Sequence, residues 1–124
     1  MANTILLNNT DNGVTLNIIK ADNKMEIYIN PDLGSVTGFV KVYETINFSS
    51  VTTNAMLDIS GYLRAFKEAN PNATSVYMAI CMSNFIGNGQ FQYSIAGNNI
   101  SLPTQNPNLS NWSGQMNSYV VNIF

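Results

Sequence analysis

Apolar and polar residues alternate along most of this chain, with the period of two that is typical of half-buried β-strands. In the segment VTLNIIK, for example, Val14, Leu16 and Ile18 fall on one face. Turn signals such as the Asn-Gly pair of TDNG separate these segments. The pattern predicts eight strands, over residues 4–8, 14–20, 25–30, 35–50, 54–59, 75–83, 90–97 and 118–124.

One segment, residues 60–69, changes to a helical period. Its apolar stripe would consist of Tyr62, Leu63 and Phe66. Asp58 or Ser60 is placed to cap the first turn, and an Asn-Pro pair follows the last one. Many short strands and one short helix near residues 60–69 predict an all-β fold, an antiparallel β-sandwich of about eight strands. At 124 residues the chain is expected to form a single domain over residues 1–124.

A local resemblance refines this fold class. The segment YMAICMSNFIGNG, residues 77–89, resembles the F strand and following turn of fibronectin type III and related immunoglobulin-like domains. The resemblance covers about a tenth of the chain and its spacing departs by one residue before Asn84. The buried tryptophan of an early strand has no counterpart, because Trp112 is the single tryptophan. The resemblance implies a Greek-key sandwich, immunoglobulin-like in type, and a jelly roll is equally compatible with the strand count.

The surface that this sequence makes is polar but nearly uncharged. Charged residues are 10% of the chain, against about 25% in a typical domain. There are 20 asparagines and 20 serines and threonines together, and the formal net charge is −2. Without a basic stripe to neutralise phosphates, no nucleic acid is expected as a partner. No run of 18 or more apolar residues occurs, so no membrane partner is expected either.

The residue types needed for most catalysis are missing. The chain has no histidine, which excludes Ser-His-Asp and Cys-His catalysis and histidine-ligated zinc. Among the seven carboxylates, Asp22, Glu26 and Asp32 are close enough in sequence for a glycosidase pair, but solvated turn carboxylates are the simpler interpretation. Cys81 lies in an apolar run and is expected to pack as a small hydrophobic residue. The sequence therefore predicts no enzyme activity, no cofactor and no metal site.

Residues 103–117 show no period, contain two prolines and are predicted to form a long polar loop that is either functional or disordered. In one interpretation Trp112 is a stacking platform for a sugar, flanked by Asn108, Asn111 and Gln115, and the protein is a carbohydrate-binding module. In the other, Trp112 anchors its loop against the sandwich or is buried at a protein interface, where tryptophan is enriched.

The character of the whole chain suggests a structural role. A charge-poor β-sandwich rich in Asn, Ser and Thr resembles the small accessory head proteins, decoration or cement proteins, of tailed bacteriophages, crAss-like phages in particular. The resemblance implies an auxiliary capsid protein of the virion, assembled in the host cytoplasm. Its partners would be the major capsid protein, other virion proteins or further copies of itself, with an outer face that is open to a host glycan.

The elements expected to dock are the loop around Trp112, the first strand and the last strand. Two cationic residues on the predicted helix, Arg64 and Lys67, are further contact candidates, although solvation is the default interpretation for them.

Overall fold

The computed structural model describes residues 2–7, 14–30, 40–47, 52–85, 87, 89–97 and 101–123. These form ten strands and one helix. In chain order the elements are β1 (Ala2–Leu7), β2 (Thr15–Ala21), β3 (Asn23–Asn30), β4 (Val40–Asn47), β5 (Thr52–Asp58), α1 (Ser60–Ala69), β6 (Ser75–Asn84), β7 (Gly89–Ala96), β8 (Ser101–Gln105), β9 (Asn108–Leu109) and β10 (Ser113–Ile123).

The strands make two sheets that pack face to face. The first sheet has the order β1-β10-β6-β3-β4 and the second has the order β5-β2-β7-β8, with the short β9 also paired to β7. All neighbouring strands are antiparallel except β1 and β10, which run parallel. The predicted all-β sandwich with one short helix is confirmed, although there are ten strands in the described residues rather than about eight.

The core lies between the sheets and is built by the predicted alternation. Fifteen of its large apolar side chains are at most 2% exposed. They are Val14, Leu16, Ile18, Met25, Ile27, Ile29, Val76, Met78, Ile80, Met82, Phe91, Tyr93, Ile95, Tyr119 and Val121. Strand β6 is central in its sheet, and the residues of its inner face are buried. Its outer face is half-buried apart from the buried Ala79, so the burial of both faces that its continuous apolar sequence predicts is only partial.

The prediction of a loop over residues 103–117 is wrong. This range contains the end of β8, all of β9 and the first five residues of β10. The prolines disturb the period without preventing pairing, because β8 is an edge strand and an edge strand tolerates a proline. Deletion of this range would remove parts of both sheets.

Helix α1 begins and ends where the sequence predicts, but its buried stripe differs. Leu63 is buried and Phe66 packs partly against the core, whereas Tyr62 is 40% exposed. Ile59, just before the helix, is fully buried and provides the third apolar contact. The Asp58 carboxylate accepts a hydrogen bond from the backbone N–H of Ser60 at 3.0 Å, so Asp58 satisfies one amide of the first turn.

Candidate functional site

The two ends of the sandwich differ, and we name them by their main features. At the helix end, α1 joins β5 to β6, and Ser75 at the start of β6 pairs with Asn122 of β10. At the tryptophan end, the pairing of β6 with β10 finishes at Asn84 and Ser113. The candidate residues divide between these ends.

Trp112 projects from the tryptophan end. Its side chain is 82% exposed, the most exposed large apolar residue in the described part of the chain. It is held in a turn in which the Ser113 hydroxyl donates a hydrogen bond to the Ser110 carbonyl at 2.5 Å. The interpretation in which Trp112 anchors its segment against the sandwich is therefore wrong, because an anchoring side chain would be buried.

The backbone at Trp112 has an uncommon conformation. Its φ is +59°, in the left-handed region that residues other than glycine and asparagine rarely adopt. A bulky aromatic residue in this region costs about 1–3 kcal/mol relative to an unstrained backbone. The turn thus holds an aromatic ring in solvent at a position whose backbone conformation favours glycine.

Phe85 orients the Trp112 ring. The register that pairs Asn84 with Ser113 places these two residues one step beyond the last paired residues of β6 and β10. Their ring centroids are 6.4 Å apart with an interplanar angle of 70°, an edge-to-face contact. Phe85 is not among the residues predicted from the sequence, because its position beside Trp112 depends on the register of β6 and β10.

Two buried asparagines support this end. The Asn23 carbonyl accepts a hydrogen bond from the backbone N–H of Phe85 at 2.9 Å. The Asn84 amide donates to the carbonyls of Gly87 at 3.0 Å and Leu109 at 3.1 Å. Both asparagines are at most 1% exposed; the bond from Asn84 to Leu109 is buried, and the other two are partly buried. They fix the relative positions of the β6 end, the β7 start and β9.

An open concavity of about 530 Å³ lies at the tryptophan end. Its described lining consists of Gly87, Asn108, Leu109, Ser110 and Asn111. Two amides and one hydroxyl provide hydrogen-bond donors and acceptors, and none of these five residues is charged. Trp112 is the next residue in the chain after Asn111, but its own side chain does not line the concavity.

The structure brings together two of the six candidate residues, Asn108 and Asn111, in the concavity, and Trp112 follows Asn111 in the chain. Gln115 lies three residues further along β10, where its amide donates to Asn117 at 2.8 Å. Arg64 and Lys67 are at the opposite end on α1. Lys67 donates to the Ala73 carbonyl at 2.7 Å and so ties the helix to the following turn.

Arg64 has an electrostatic role at the helix end. Hydrogen bonds from Ser60, and to a smaller extent the positive charge of Arg64, hold the pKa of Asp58 below its ordinary value. The carboxylate that caps α1 is therefore kept ionised by its neighbours. Both cationic candidates contribute to local structure at this end.

Charged side chains cluster on the outer face of the first sheet, on β3 and β4. Lys41 contacts Glu26 at 3.3 Å and Glu44 at 3.1 Å, and Lys24 contacts the same two carboxylates at 3.4 Å and 3.9 Å. The Tyr28 hydroxyl donates to Glu26 at 2.6 Å, and this bond, together with the two lysines, lowers the Glu26 pKa. A general acid needs a raised pKa, so this arrangement is suited to an ion-pair network rather than to proton donation.

The other groups considered for chemistry are dispersed. Asp22 is buried in the β2–β3 turn and accepts from the Asn23 amide at 2.8 Å, and Asp32 lies outside the described residues. Cys81 is partly buried, and burial raises its thiol pKa. In the described ranges no three His, Cys, Asp or Glu side chains are grouped to hold a metal ion. No helix in those ranges is long and apolar enough to cross a bilayer.

Comparison of the chain with protein-family models, with curated proteins and with solved structures finds no match in any of the three.

Proposed function

We propose that the chain is a non-enzymatic structural protein of a virion, an auxiliary capsid protein that docks on the major capsid protein lattice of a tailed bacteriophage. Docking would use the outer edge of β1 at the helix-end half of the sandwich. The observation that carries this proposal is the difference between β1 and the other three sheet edges.

Of the four sheet edges formed by the described strands, three bear features that discourage pairing with another chain. β4 carries Lys41 and Glu44 and has a register shift against β3. β5 has a register shift against β2, and β8 contains Pro103 and has a register shift against β7. Charges, prolines and bulges are the devices by which sheet edges avoid adding a strand.

The edge formed by β1 has none of these features. Its sequence, ANTILL, contains no charged residue and no proline, and its pairing with β10 is uninterrupted from Ala2 to Leu7. No strand covers its outer side in the described part of the chain. An edge of this kind is a template for strand addition, and a neighbour that covers it would remove the aggregation hazard. A capsid lattice supplies such a neighbour at high local concentration.

The surface composition supports an assembly role. Interfaces between subunits are depleted of charged residues at their centre. In a chain with 10% charged residues, four of the charged side chains are already paired with one another on β3 and β4. Few charged side chains therefore have to be desolvated when a neighbouring protein covers the remaining surface.

Co-sedimentation with empty capsids assembled from the major capsid protein tests this proposal. The backbone N–H groups of successive residues in a strand point to opposite edges. Proline lacks this N–H, so one of the two variants Thr4→Pro and Ile5→Pro loses a hydrogen bond to β10, and the other loses only a donor on the outer edge of β1. The variant that keeps the wild-type melting temperature should lose capsid binding, whereas the wild type should bind at a fixed copy number. Unchanged binding by both variants would contradict docking through β1.

Trp112→Ala serves as the control at the other end of the molecule and should bind capsids like the wild type. Loss of capsid binding in this variant would move the docking surface to the tryptophan end.

A further inference from the structure

We propose that the tryptophan end carries a binding site for a neutral glycan, with Trp112 as the stacking platform and the concavity lined by its chain neighbour Asn111 as the hydrogen-bonding subsite. This inference rests on Trp112 being accessible in the assembled protein, and hence on docking through the helix-end half. The site would be a second, independent function of the same domain.

The first argument is the way in which Trp112 is presented. A tryptophan that is 82% exposed leaves most of its apolar surface in water, and its left-handed backbone adds a further cost. Neither feature stabilises the free fold. Since the Phe85 ring meets Trp112 edge to face, the indole is held in one orientation without being covered.

The second argument is the chemistry of an exposed indole face. The faces of aromatic rings carry partial negative charge, and the C–H bonds on one side of a pyranose ring carry partial positive charge. A sugar can therefore stack on Trp112 while its hydroxyls point outward to polar neighbours. A fixed ring loses little conformational entropy when it binds.

The third argument is the lining of the concavity. The amides of Asn108 and Asn111 can each donate and accept, and so can the Ser110 hydroxyl, which matches the paired donor and acceptor character of sugar hydroxyls. The volume of about 530 Å³ is within the range of about 300–1,000 Å³ of ligand sites. Because none of the described lining residues is charged, the site offers no counter-ion to a sialylated or sulfated glycan.

The fourth argument is the position of the site. Strand β1 pairs with β10 only from Ser118 onward, in the half nearer the helix end. Trp112 lies six residues before that point, about 20 Å along the strand direction. A neighbour bound to β1 thus leaves the concavity open, and the pinning bonds of Asn84 and Asn23 keep its walls in place.

A glycan array tests the proposal with the wild-type protein, using neutral oligosaccharides together with sialylated and sulfated ones. At least one neutral glycan should bind, and its dissociation constant should then be measured in solution from the fluorescence of Trp112, the single tryptophan. The same glycan should bind at least tenfold more weakly to Trp112→Ala and several-fold more weakly to Asn111→Ala, measured by calorimetry.

Matched controls come from the helix end. Tyr62→Ala removes another exposed aromatic ring and Asn72→Ala another exposed amide. Both should bind the glycan like the wild type. Unfolding curves identify any variant whose loss reflects misfolding.

Three outcomes would overturn the glycan site: no neutral glycan is retained, only sialylated or sulfated glycans bind, or Trp112→Ala binds as tightly as the wild type. Each differs from failure of the docking proposal, which is measured by capsid co-sedimentation. If Trp112→Ala loses capsid binding and no neutral glycan binds, the exposed ring belongs to a protein interface and the inference is wrong.

Discussion

The hydroxyl groups of Tyr93 and Tyr119 lie 2.6 Å apart in the core and form a hydrogen bond between the two sheets. The Asn117 amide donates to the same Tyr93 oxygen at 2.7 Å. Tyr93 belongs to β7 and the other two residues to β10, so one phenol joins two strands from opposite sheets. Two buried phenols in contact need each other as partners, because water does not reach them.

The two tyrosines should therefore differ in their contribution to stability. Tyr93→Phe leaves the Tyr119 hydroxyl and the Asn117 amide without their partner and should lower the free energy of unfolding by about 2 kcal/mol. Tyr119→Phe leaves Tyr93 bonded to Asn117 and should cost about 1 kcal/mol. Urea denaturation of both variants measures the difference, and equal losses would show that Asn117 does not depend on Tyr93.

Tyr119 should also make the protein sensitive to alkali. Burial, and then the hydrogen bond with Tyr93, raises the pKa of Tyr119 well above its ordinary value. The folded state therefore keeps a proton that the unfolded state loses above about pH 10, so stability is present below that pH and falls as the pH rises, by up to about 1.4 kcal/mol per pH unit. Tyr119→Phe should flatten this decline, and Tyr62→Phe, at an exposed ring, should leave it unchanged.

The hydrogen bond and ion pairs of Glu26 should make stability depend on pH in the acid range. The Tyr28 hydrogen bond and the two lysines lower the Glu26 pKa below its ordinary value of 4.5, so its stabilisation is present above that pH and lost as the pH falls. Glu26→Gln should be less stable than the wild type at pH 7, and the difference should shrink in acid and in high salt. Glu68→Gln, at an exposed site on α1, is the control; a difference that persists at pH 2 would mean that packing rather than charge is responsible.

The strained turn predicts an unusual order of variants at position 112. Trp112→Gly and Trp112→Ala both lose the contact with Phe85, but only glycine accepts a φ of +59° without a steric cost. The glycine variant should be more stable than the alanine variant by about 1 kcal/mol. Equal melting temperatures would show that the turn relaxes when the ring is removed.

Two glycines should respond to alanine in opposite directions. A Cβ at Gly89 would lie 2.7 Å from the Leu109 carbonyl oxygen and 2.8 Å from Asn84, so Gly89→Ala should destabilise the protein by about 1–3 kcal/mol. Gly61 lies in α1 with no atom within 4 Å of the added group, so Gly61→Ala should stabilise it by about 1 kcal/mol. Thermal unfolding of both variants compares the close backbone approach at Gly89 with the open helix surface at Gly61.

Sequence periodicity was sufficient for the core because each inward residue obeys a local rule. Val14, Leu16 and Ile18 alternate within one strand, and alternation alone predicts which face is buried. The prediction failed at Tyr62, because helical spacing also fits a second apolar stripe. That stripe consists of Leu63, Phe66 and the fully buried Ile59, which lies just before the helix. The prediction also failed in β9, since two residues cannot display a period.

The tryptophan end depended on relationships that the sequence does not display. The bond between Asn23 and Phe85 joins residues 62 positions apart, and the bond between Asn84 and Leu109 joins residues 25 apart. The amides Asn108 and Asn111 could be selected because they flank the single tryptophan. Phe85 could be placed beside that tryptophan only once the register of β6 and β10 was known.

The parallel pairing of β1 with β10 has a kinetic consequence. Ala2 pairs with Ser118, so this contact closes nearly the whole length of the chain and is expected to form late in folding. During synthesis the first strand must wait, unpaired, until the last strand has left the ribosome. In that interval β1 of one molecule can add to β10 of another, which makes the closing step of the fold a route to strand exchange between copies at high concentration.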